Sequence, residues 1–192
     1  MPPDPLAATL TVVHILESLR IPYLITGSLA SALHGLARSS MDADLVADLR
    51  MEHAEPLVRE LGEAFYVDLH AVREAIRRRS SFNAIHLEGA FKVDVFVCKD
   101  RPFDRLQLER RALYEVSPAA AAAAYFASPE DLVLSKLERY RLGHESSARQ
   151  WGDVLGVMKL QGETLDLCYL QRWAAELGVA ELLERALKES GP

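Results

Sequence analysis

The sequence has few cysteines, no long apolar run and no excess of positive charge, and each absence excludes a class of protein. Its 192 residues contain two cysteines, Cys98 and Cys168, which are too few for a disulfide framework and are not accompanied by a metal-type Cys/His spacing. No apolar run approaches the ~20 residues that span a bilayer. The N-terminal segment MPPDPLAATL also lacks the basic region of a secretory signal. We therefore expect a cytoplasmic protein that has no membrane partner.

The charge balance is acidic, with 22 lysines and arginines against 28 aspartates and glutamates, and the formal net charge is −6. This balance excludes a general nucleic-acid coat protein, which would be basic overall, but it leaves room for a local basic patch. Apolar residues make up 49% of the chain and charged residues 26%, as is usual for a folded globular protein. The length suits one compact domain, or a core domain with a helical appendage.

The periodicity of apolar residues divides the chain into an α/β part and a helical part. Apolar positions three or four residues apart predict an amphipathic helix over residues 6–19. Short β-prone runs and helical periods then alternate, and Gly89 indicates a hairpin between strands 82–87 and 91–97. The alanine run at 119–124 fits either a helix or a strand. From Ser128 onward there are helical periods, which begin with the capping sequence SPED.

These elements predict an α/β (α+β) fold, with a small mixed β-sheet flanked by helices. Residues 1–127 would form the α/β core with its N-terminal helix. Residues 128–192 would form a helical C-terminal region packed on that core.

Three aspartates fall on the predicted strands where their side chains leave the non-core face. Asp42 and Asp44 are two residues apart on one strand, so both point the same way. Asp94 occupies the equivalent face of a second strand, with Lys92 beside it. Three carboxylates from neighbouring strands are hard oxygen ligands of the kind that bind Mg²⁺ or Mn²⁺ together with phosphates. The alternative is a solvated strand edge whose charges discourage aggregation.

A Gly-Ser pair precedes these aspartates and adds features that suit a phosphate. Gly27 allows close approach of the backbone, Ser28 supplies a hydroxyl, and the next helix begins with free N–H donors. Arg38 lies between that helix and the aspartate pair, within reach of a triphosphate. Asp48, by contrast, fits a surface residue at a strand end better than a fourth ligand. Together, and in this order, these features predict a site for phosphoryl transfer.

Residues 23–97 resemble the DNA-polymerase-β-type nucleotidyltransferase superfamily. The resemblance lies in the order of four features: the pair GS, a helix, the sequence DAD on a strand, and a third aspartate on a later strand. The segments SPEDLVLSKL and RQWGDVLG resemble the bacterial AbiEii-like branch, which is associated with toxin–antitoxin systems. The resemblance implies that the catalytic metal ligands are Asp42, Asp44 and Asp94. It also implies nucleotide binding by Gly27, Ser28 and Lys136, and an auxiliary role for Asp153.

The function implied is Mg²⁺-dependent transfer of a nucleoside monophosphate from an NTP to a hydroxyl of an RNA, such as a tRNA end, or of a protein. The protein would then belong to a toxin–antitoxin system, with a cognate toxin or antitoxin as partner, and Asp94 would help to deprotonate the acceptor. The alternative is a non-catalytic nucleotidyltransferase-like binding protein, since Gly152 stands where that branch has a basic residue before Asp153.

Several charged residues near these motifs have two interpretations. Lys136 fits a phosphate contact and an exposed helix face equally well, and Asp153 fits a partner of Lys136 or of Arg149. A set of arginines would form a basic rim that binds an RNA acceptor, although each arginine also suits an ordinary surface position. The members of this basic rim are Arg38, Arg73, Arg77, Arg78, Arg79 and Arg101.

Overall fold

A computed structural model describes residues 5–35, 42–117 and 122–191. The described residues form two compact units. The first comprises the residues through Leu29 and those between Asp42 and Phe126. The second comprises Ala30–Gly35 and the residues from Ala127 onward.

The described elements follow the predicted alternation of helices and strands. The strands are β1 Tyr23–Thr26, β2 Asp42–Ala47, β3 Phe65–Tyr66, β4 Ser81–His86, β5 Phe91–Val97, β6 Ala112–Ser117 and β7 Ala122–Phe126. The helices are α1 Pro5–Ser18, α2 Gly27–His34, α3 Ala54–Leu61, α4 Leu69–Arg78, α5 Pro102–Arg110, α6 Pro129–Leu142, α7 Ala148–Gln161, α8 Leu167–Glu176 and α9 Ala180–Ser190. Short 3-10 turns occur at Met51–His53 and Gly162–Thr164.

The strands of the first unit form one mixed sheet with the order β3-β4-β5-β2-β1-β7-β6. Strands β2 and β5 run parallel, as do β1 and β7, and the other neighbouring pairs are antiparallel. The central strand β2 therefore has β5 on one side and β1 on the other. Residues at the start of β2 lie beside the start of β5 and the end of β1, because β1 runs in the opposite direction.

The sheet buries one apolar face, which explains why these short runs become strands. Along β5 the residues Phe91, Val93, Val95 and Val97 are buried, while the alternate positions are partly exposed. Helix α1 contacts β2, β5 and β7, and α4 contacts β4 and β5. Asp68 caps α4 by accepting hydrogen bonds from the N–H groups of His70 and Ala71. The predicted mixed sheet with flanking helices is confirmed.

The second unit consists of packed helices, of which α6 begins where the sequence predicts. Ser128 caps α6 by accepting a hydrogen bond from the N–H of Asp131 at 3.1 Å, and a proline occupies the first turn. Trp151 packs its ring 5.2 Å from that of Tyr140 and is buried, as predicted for a core residue. His34 is also buried, with Nε2 2.9 Å from the carbonyl oxygen of Ala127, so it serves packing and hydrogen bonding.

Two elements differ from what local sequence preference suggests. Helix α2 begins at Gly27 instead of two residues later, so the Gly-Ser pair is the first turn itself. The end of the alanine run forms strand β7, although alanine is the strongest helix former, because β7 fills the position between β1 and β6. Residues 118–121 lie outside the described part. None of the described helices is long and apolar enough to cross a lipid bilayer.

Candidate active site

The three aspartates and Lys92 occupy a square of positions at the start of the parallel strands β2 and β5. Asp42 lies beside Lys92, and Asp44 lies beside Asp94. All four positions belong to the partly exposed face of the sheet, because the alternate residues Ala43 and Val93 are buried. The structure therefore brings the predicted carboxylates to one edge of one face of the sheet.

Gly27 provides the close approach that connects this edge to helix α2. Its φ is +62°, a conformation that side chains disfavour. A Cβ atom built at Gly27 would lie 1.7 Å from Oδ2 of Asp44, so the carboxylate occupies the space where any side chain would be. The contact arises because Thr26, the last residue of β1, is paired with Asp44. The first turn of α2 and the Asp44 carboxylate are thus held against one another.

Ser28 fixes the same turn to strand β2. Its hydroxyl donates a hydrogen bond to the carbonyl oxygen of Asp42 at 3.0 Å, and the residue is buried. In this arrangement the hydroxyl acts first as a tether between α2 and β2. Its oxygen can still accept a hydrogen bond, and the N–H groups at the start of α2 carry the partial positive charge of a helix N-terminus.

Lys92 is a functional candidate to which the sequence analysis gave no role. Its Nζ lies 2.9 Å from Oδ2 of Asp94, and 38% of its side chain is exposed. The hydrogen bond to Asp94 raises the pKa of Lys92, and the charges of Asp94, Asp42 and Asp44 act in the same direction. The signal was available, since residues 92 and 94 share a face on any strand.

The donor set suits a divalent cation, although the side chains do not form a closed cage. Within the described ranges, no three His, Cys, Asp or Glu side chains stand together as one metal ion would require. Mg²⁺, however, is usually held by one or two carboxylates together with water and substrate phosphates. Asp44 and Asp94, in register on adjacent strands, meet that requirement, with Asp42 one pair further along. Coordination by all three aspartates stays a prediction.

Lys136 and Asp153 form a buried ion pair in the helical unit. Nζ of Lys136 on α6 lies 2.8 Å from Oδ2 of Asp153 on α7, and the two side chains are 9% and 8% exposed. The interpretation of Lys136 as an exposed surface residue is therefore wrong, because its hydrophobic helical neighbours bury it. Asp153 is its partner, while Arg149 is exposed. Their nucleotide-binding and auxiliary roles remain predictions, and Arg38 lies outside the described residues.

The predicted basic rim is not a patch of unbalanced positive charge among the described residues. Each of its described arginines forms an ion pair with a carboxylate. The pairs are Arg73 with Glu55, Arg77 and Arg78 with Glu74, Arg79 with Asp100, and Arg101 with Asp104. Such neighbouring carboxylates reduce the attraction of these arginines for a polyanion such as RNA.

The far ends of β2 and β5 carry a second set of charges, in which cations and anions are balanced. Asp48, directly after β2, lies 2.7 Å from a guanidinium nitrogen of Arg105. Asp100, after β5, is bound by both Arg105 and Arg79. Arg79 also donates a hydrogen bond to the carbonyl oxygen of Cys98 at 3.0 Å. Asp48 is therefore a partner in a structural ion-pair network, away from the start of the strands where Asp42 and Asp44 lie.

Comparison with known proteins gives a match at the level of structure. No protein-family model matches the sequence. No curated protein matches it significantly either. Among solved structures, ANT(2'')-Ia in complex with adenylyl-2''-tobramycin superimposes with a TM-score of 0.55 at 13% identity, covering 89% of this chain and 96% of that one.

Two further solved structures have the same fold. An antigenic nucleotidyltransferase-like protein from Paracoccidioides brasiliensis gives a TM-score of 0.54 at 18% identity, covering 94% of this chain and 91% of that one. The lincomycin-bound lincosamide antibiotic adenylyltransferase LnuA gives 0.50 at 10% identity, covering 80% and 96%. The predicted nucleotidyltransferase-like fold is confirmed, whereas the AbiEii-like branch stays a prediction.

Proposed function

We propose that this protein is a nucleotidyltransferase that transfers a nucleoside monophosphate from an NTP to an acceptor hydroxyl. The observation that carries the proposal is the contact between Gly27 and the Asp44 carboxylate, with Asp94 in register beside it. A helix N-terminus that can hold phosphates and a pair of carboxylates that can hold a cation meet there at one point. The fold, shared with nucleotidyltransferases of known structure, is consistent with this chemistry.

The residues divide between phosphate binding and cation binding. The N–H groups at the start of α2, with the hydroxyl of Ser28, would bind the triphosphate, and Gly27, which has no side chain, brings this turn against the Asp44 carboxylate. Asp42, Asp44 and Asp94 would hold Mg²⁺ or Mn²⁺. When bound, the ion supplies charge neutralisation for the triphosphate and polarises the α-phosphate. From the sequence motifs we also assign Arg38 and the Lys136–Asp153 pair an auxiliary part in nucleotide binding.

Asp94 is proposed to accept the proton of the attacking hydroxyl. The acceptor oxygen forms a bond to the α-phosphorus, the bond between that phosphorus and the bridging oxygen breaks, and pyrophosphate leaves with the electron pair. A carboxylate within hydrogen-bond distance of the hydroxyl can take its proton in this step.

The charges of the described arginines favour a small-molecule acceptor over RNA. The described arginines of the basic rim are already paired with carboxylates, which weakens the case for an RNA acceptor. Two structural neighbours are named for antibiotics, tobramycin and lincomycin. A hydroxyl-bearing small molecule is therefore the first acceptor to test, ahead of RNA or protein.

The test is transfer of label from an α-³²P-NTP in the presence of Mg²⁺ or Mn²⁺. We expect transfer to one member of a panel of aminoglycosides, lincosamides, total RNA and protein, and its loss in Asp42→Asn/Asp44→Asn. Lys136→Ala should have a smaller effect, because Lys136 would assist phosphate binding without holding the cation. Arg59→Ala, on the exposed surface of α3, is a control that should leave transfer unchanged.

A second candidate function is nucleotide binding without turnover, as one partner of a toxin–antitoxin pair. It is favoured by the ammonium of Lys92, which lies against the carboxylate that would otherwise accept the proton. Metal-dependent NTP binding without label transfer to any acceptor would support this candidate. Failure of the folded protein to bind NTP in the presence of metal would contradict both functions.

A further inference from the structure

Lys92 occupies a position that a bound cation would also need. Its ammonium is 2.9 Å from Oδ2 of Asp94, and its Cα position is paired with Asp42 on the neighbouring strand. Among the described residues, Asp44 completes a group of three carboxylates and one ammonium at the start of β2 and β5. Lys92 is thus a cation that offsets part of the negative charge at this edge.

A divalent ion on Asp94 would lie close enough to this ammonium for the two cations to repel one another. Mg²⁺ sits about 2.1 Å from a carboxylate oxygen, and the ammonium is 2.9 Å from Oδ2 of the same carboxylate. Charges of +2 and +1 separated by roughly 6 Å repel one another enough, even with water-like screening, to change a binding constant about tenfold. The flexible lysine stem can move aside, but the ion pair with Asp94 is then lost.

We propose that Lys92 is an internal counter-ion that competes with the divalent cation for the aspartates. With the site free of metal, the ammonium offsets the repulsion among Asp42, Asp44 and Asp94. When the cation binds, Lys92 either stays and repels it or moves away and loses its ion pair with Asp94, and both outcomes set the affinity for the cation lower than the aspartates alone would give. The inference rests on the proposed function, because it concerns the same metal site.

The structure separates this role from an ordinary surface ion pair. A surface pair involves one carboxylate and contributes little to stability. Lys92 experiences three carboxylates, since the charges of Asp42 and Asp44 act on its ammonium as well as that of Asp94. Because these are the proposed ligands, removing Lys92 should change cation affinity more than it changes the fold.

The test is a titration of the full-length protein with Mn²⁺ alone, in which free Mn²⁺ is measured by electron paramagnetic resonance. Lys92→Met removes the charge, Lys92→Gln removes it but keeps a polar group, and Lys92→Arg keeps the charge. Lys99→Met is the matched control, because Lys99 is exposed and the substitution changes the net charge equally. Circular dichroism checks that each variant is folded.

We expect Lys92→Met and Lys92→Gln to bind Mn²⁺ roughly tenfold more tightly than the wild type, as the repulsion estimate gives. Lys92→Arg and Lys99→Met should stay within about twofold of the wild-type affinity. If the wild type binds Mn²⁺ and Lys92→Met and Lys92→Gln leave that affinity unchanged or lower it, the proposed competition is contradicted, but the metal site is not. An equal gain in Mn²⁺ affinity in Lys99→Met would also contradict the competition, because the gain would then follow from net charge in general. Absence of Mn²⁺ binding in every protein would overturn the metal site of the proposed function.

Discussion

Both ends of the parallel strand pair β2 and β5 carry aspartates and cations, but in different proportions. The acidic end, at the start of the strands, has Asp42, Asp44 and Asp94 and, within the described part of the chain, the ammonium of Lys92. The paired end, after the strands, has Asp48 and Asp100 with two cations, Arg79 and Arg105. Excess negative charge costs stability unless a ligand offsets it, whereas a balanced network needs no ligand. The paired end therefore holds the fold, whereas the acidic end is the proposed binding site.

At the paired end, the arginines and carboxylates shift each other's pKa values. Hydrogen bonds to Asp100 and Asp48 raise the pKa of Arg105. The same contact with Arg105 lowers the pKa of Asp100 below its usual value. Both shifts mean that the charged forms favour each other in the folded state. At the acidic end, three carboxylates, those of Asp94, Asp42 and Asp44, act on the ammonium of Lys92.

The largest expected effect on stability comes from filling the space beside Gly27 that the Asp44 carboxylate occupies. Gly27→Ala places a Cβ where Oδ2 of Asp44 now lies and forces a side chain into a positive-φ conformation. We expect a loss of about 2–4 kcal/mol in the free energy of unfolding, from backbone strain together with the displaced carboxylate. Urea denaturation followed by circular dichroism measures it.

Gly152→Ala is the control for that experiment, because no neighbouring heavy atom lies within 4 Å of the added Cβ and Gly152 is within helix α7. It should stabilise the protein by up to about 1 kcal/mol, since alanine is a better helix former than glycine. A Gly27→Ala protein as stable as the wild type would show that Asp44 has room to move. The close contact between its carboxylate and the Gly27 turn would then not be required for stability.

The next largest effect is expected at the paired end. Arg105→Met leaves Asp48 and Asp100 with Arg79 alone, and the side chain of Asp48 is 15% exposed. The variant should lose about 1 kcal/mol in the free energy of unfolding, a value kept small because Arg105 is itself about one-third exposed. Arg59→Met, on an exposed surface pair, should change it much less. Equal losses in both variants would remove the distinction between the paired end and an ordinary surface.

A smaller effect of opposite sign is expected at the acidic end. Asp42→Asn removes one of three like charges, so the metal-free protein should be as stable as the wild type or more stable by about 0.5 kcal/mol. The melting temperature without divalent ions gives the answer. A clearly destabilised Asp42→Asn protein would instead assign Asp42 a structural hydrogen-bonding role.

The smallest effect is a pH dependence that belongs to the paired end. The pKa of Asp100 is lower in the folded protein than in the unfolded chain, so the unfolded chain binds more protons near that range. Stability from this group is therefore present above about pH 4 and is lost as the pH falls through the folded pKa. Asp100→Asn should make the urea midpoint fall less steeply between about pH 4 and pH 2.5. An unchanged slope would mean that Arg105 does not protect the Asp100 carboxylate.

Local sequence patterns predicted much of the fold because each pattern records burial directly. The alternation in β5 reflects one buried face, the cap at Ser128 satisfies the first N–H groups of α6, and Gly89 follows strand β4 in the hairpin. The placement of Asp42, Asp44 and Asp94 on one face also follows from the strand period. These features depend on neighbours in sequence.

The features that sequence missed depend on partners distant in sequence. Local preference leaves the alanine run open between helix and strand, and its last residues join β7 because they pair between β1 and β6, which local propensity cannot reveal. In the basic rim, Arg73 pairs with Glu55, 18 residues away, which composition cannot show. Arg77, Arg78 and Arg101 instead pair with carboxylates three or four residues away, a spacing already visible in the sequence. Lys136 is buried, and its charge is compensated by Asp153, 17 residues away on another helix.

The position of β7 also has a consequence for the order in which the chain folds. Strand β1 acquires its parallel partner through the pairing of Ile25 with Phe126, so about a hundred residues must be available before the central sheet closes. Contacts so distant in sequence form slowly, because a long loop must be ordered first. During synthesis, one edge of β1 therefore stays open until the alanine strand has emerged, and this interval is when the nascent chain is most exposed to wrong pairing.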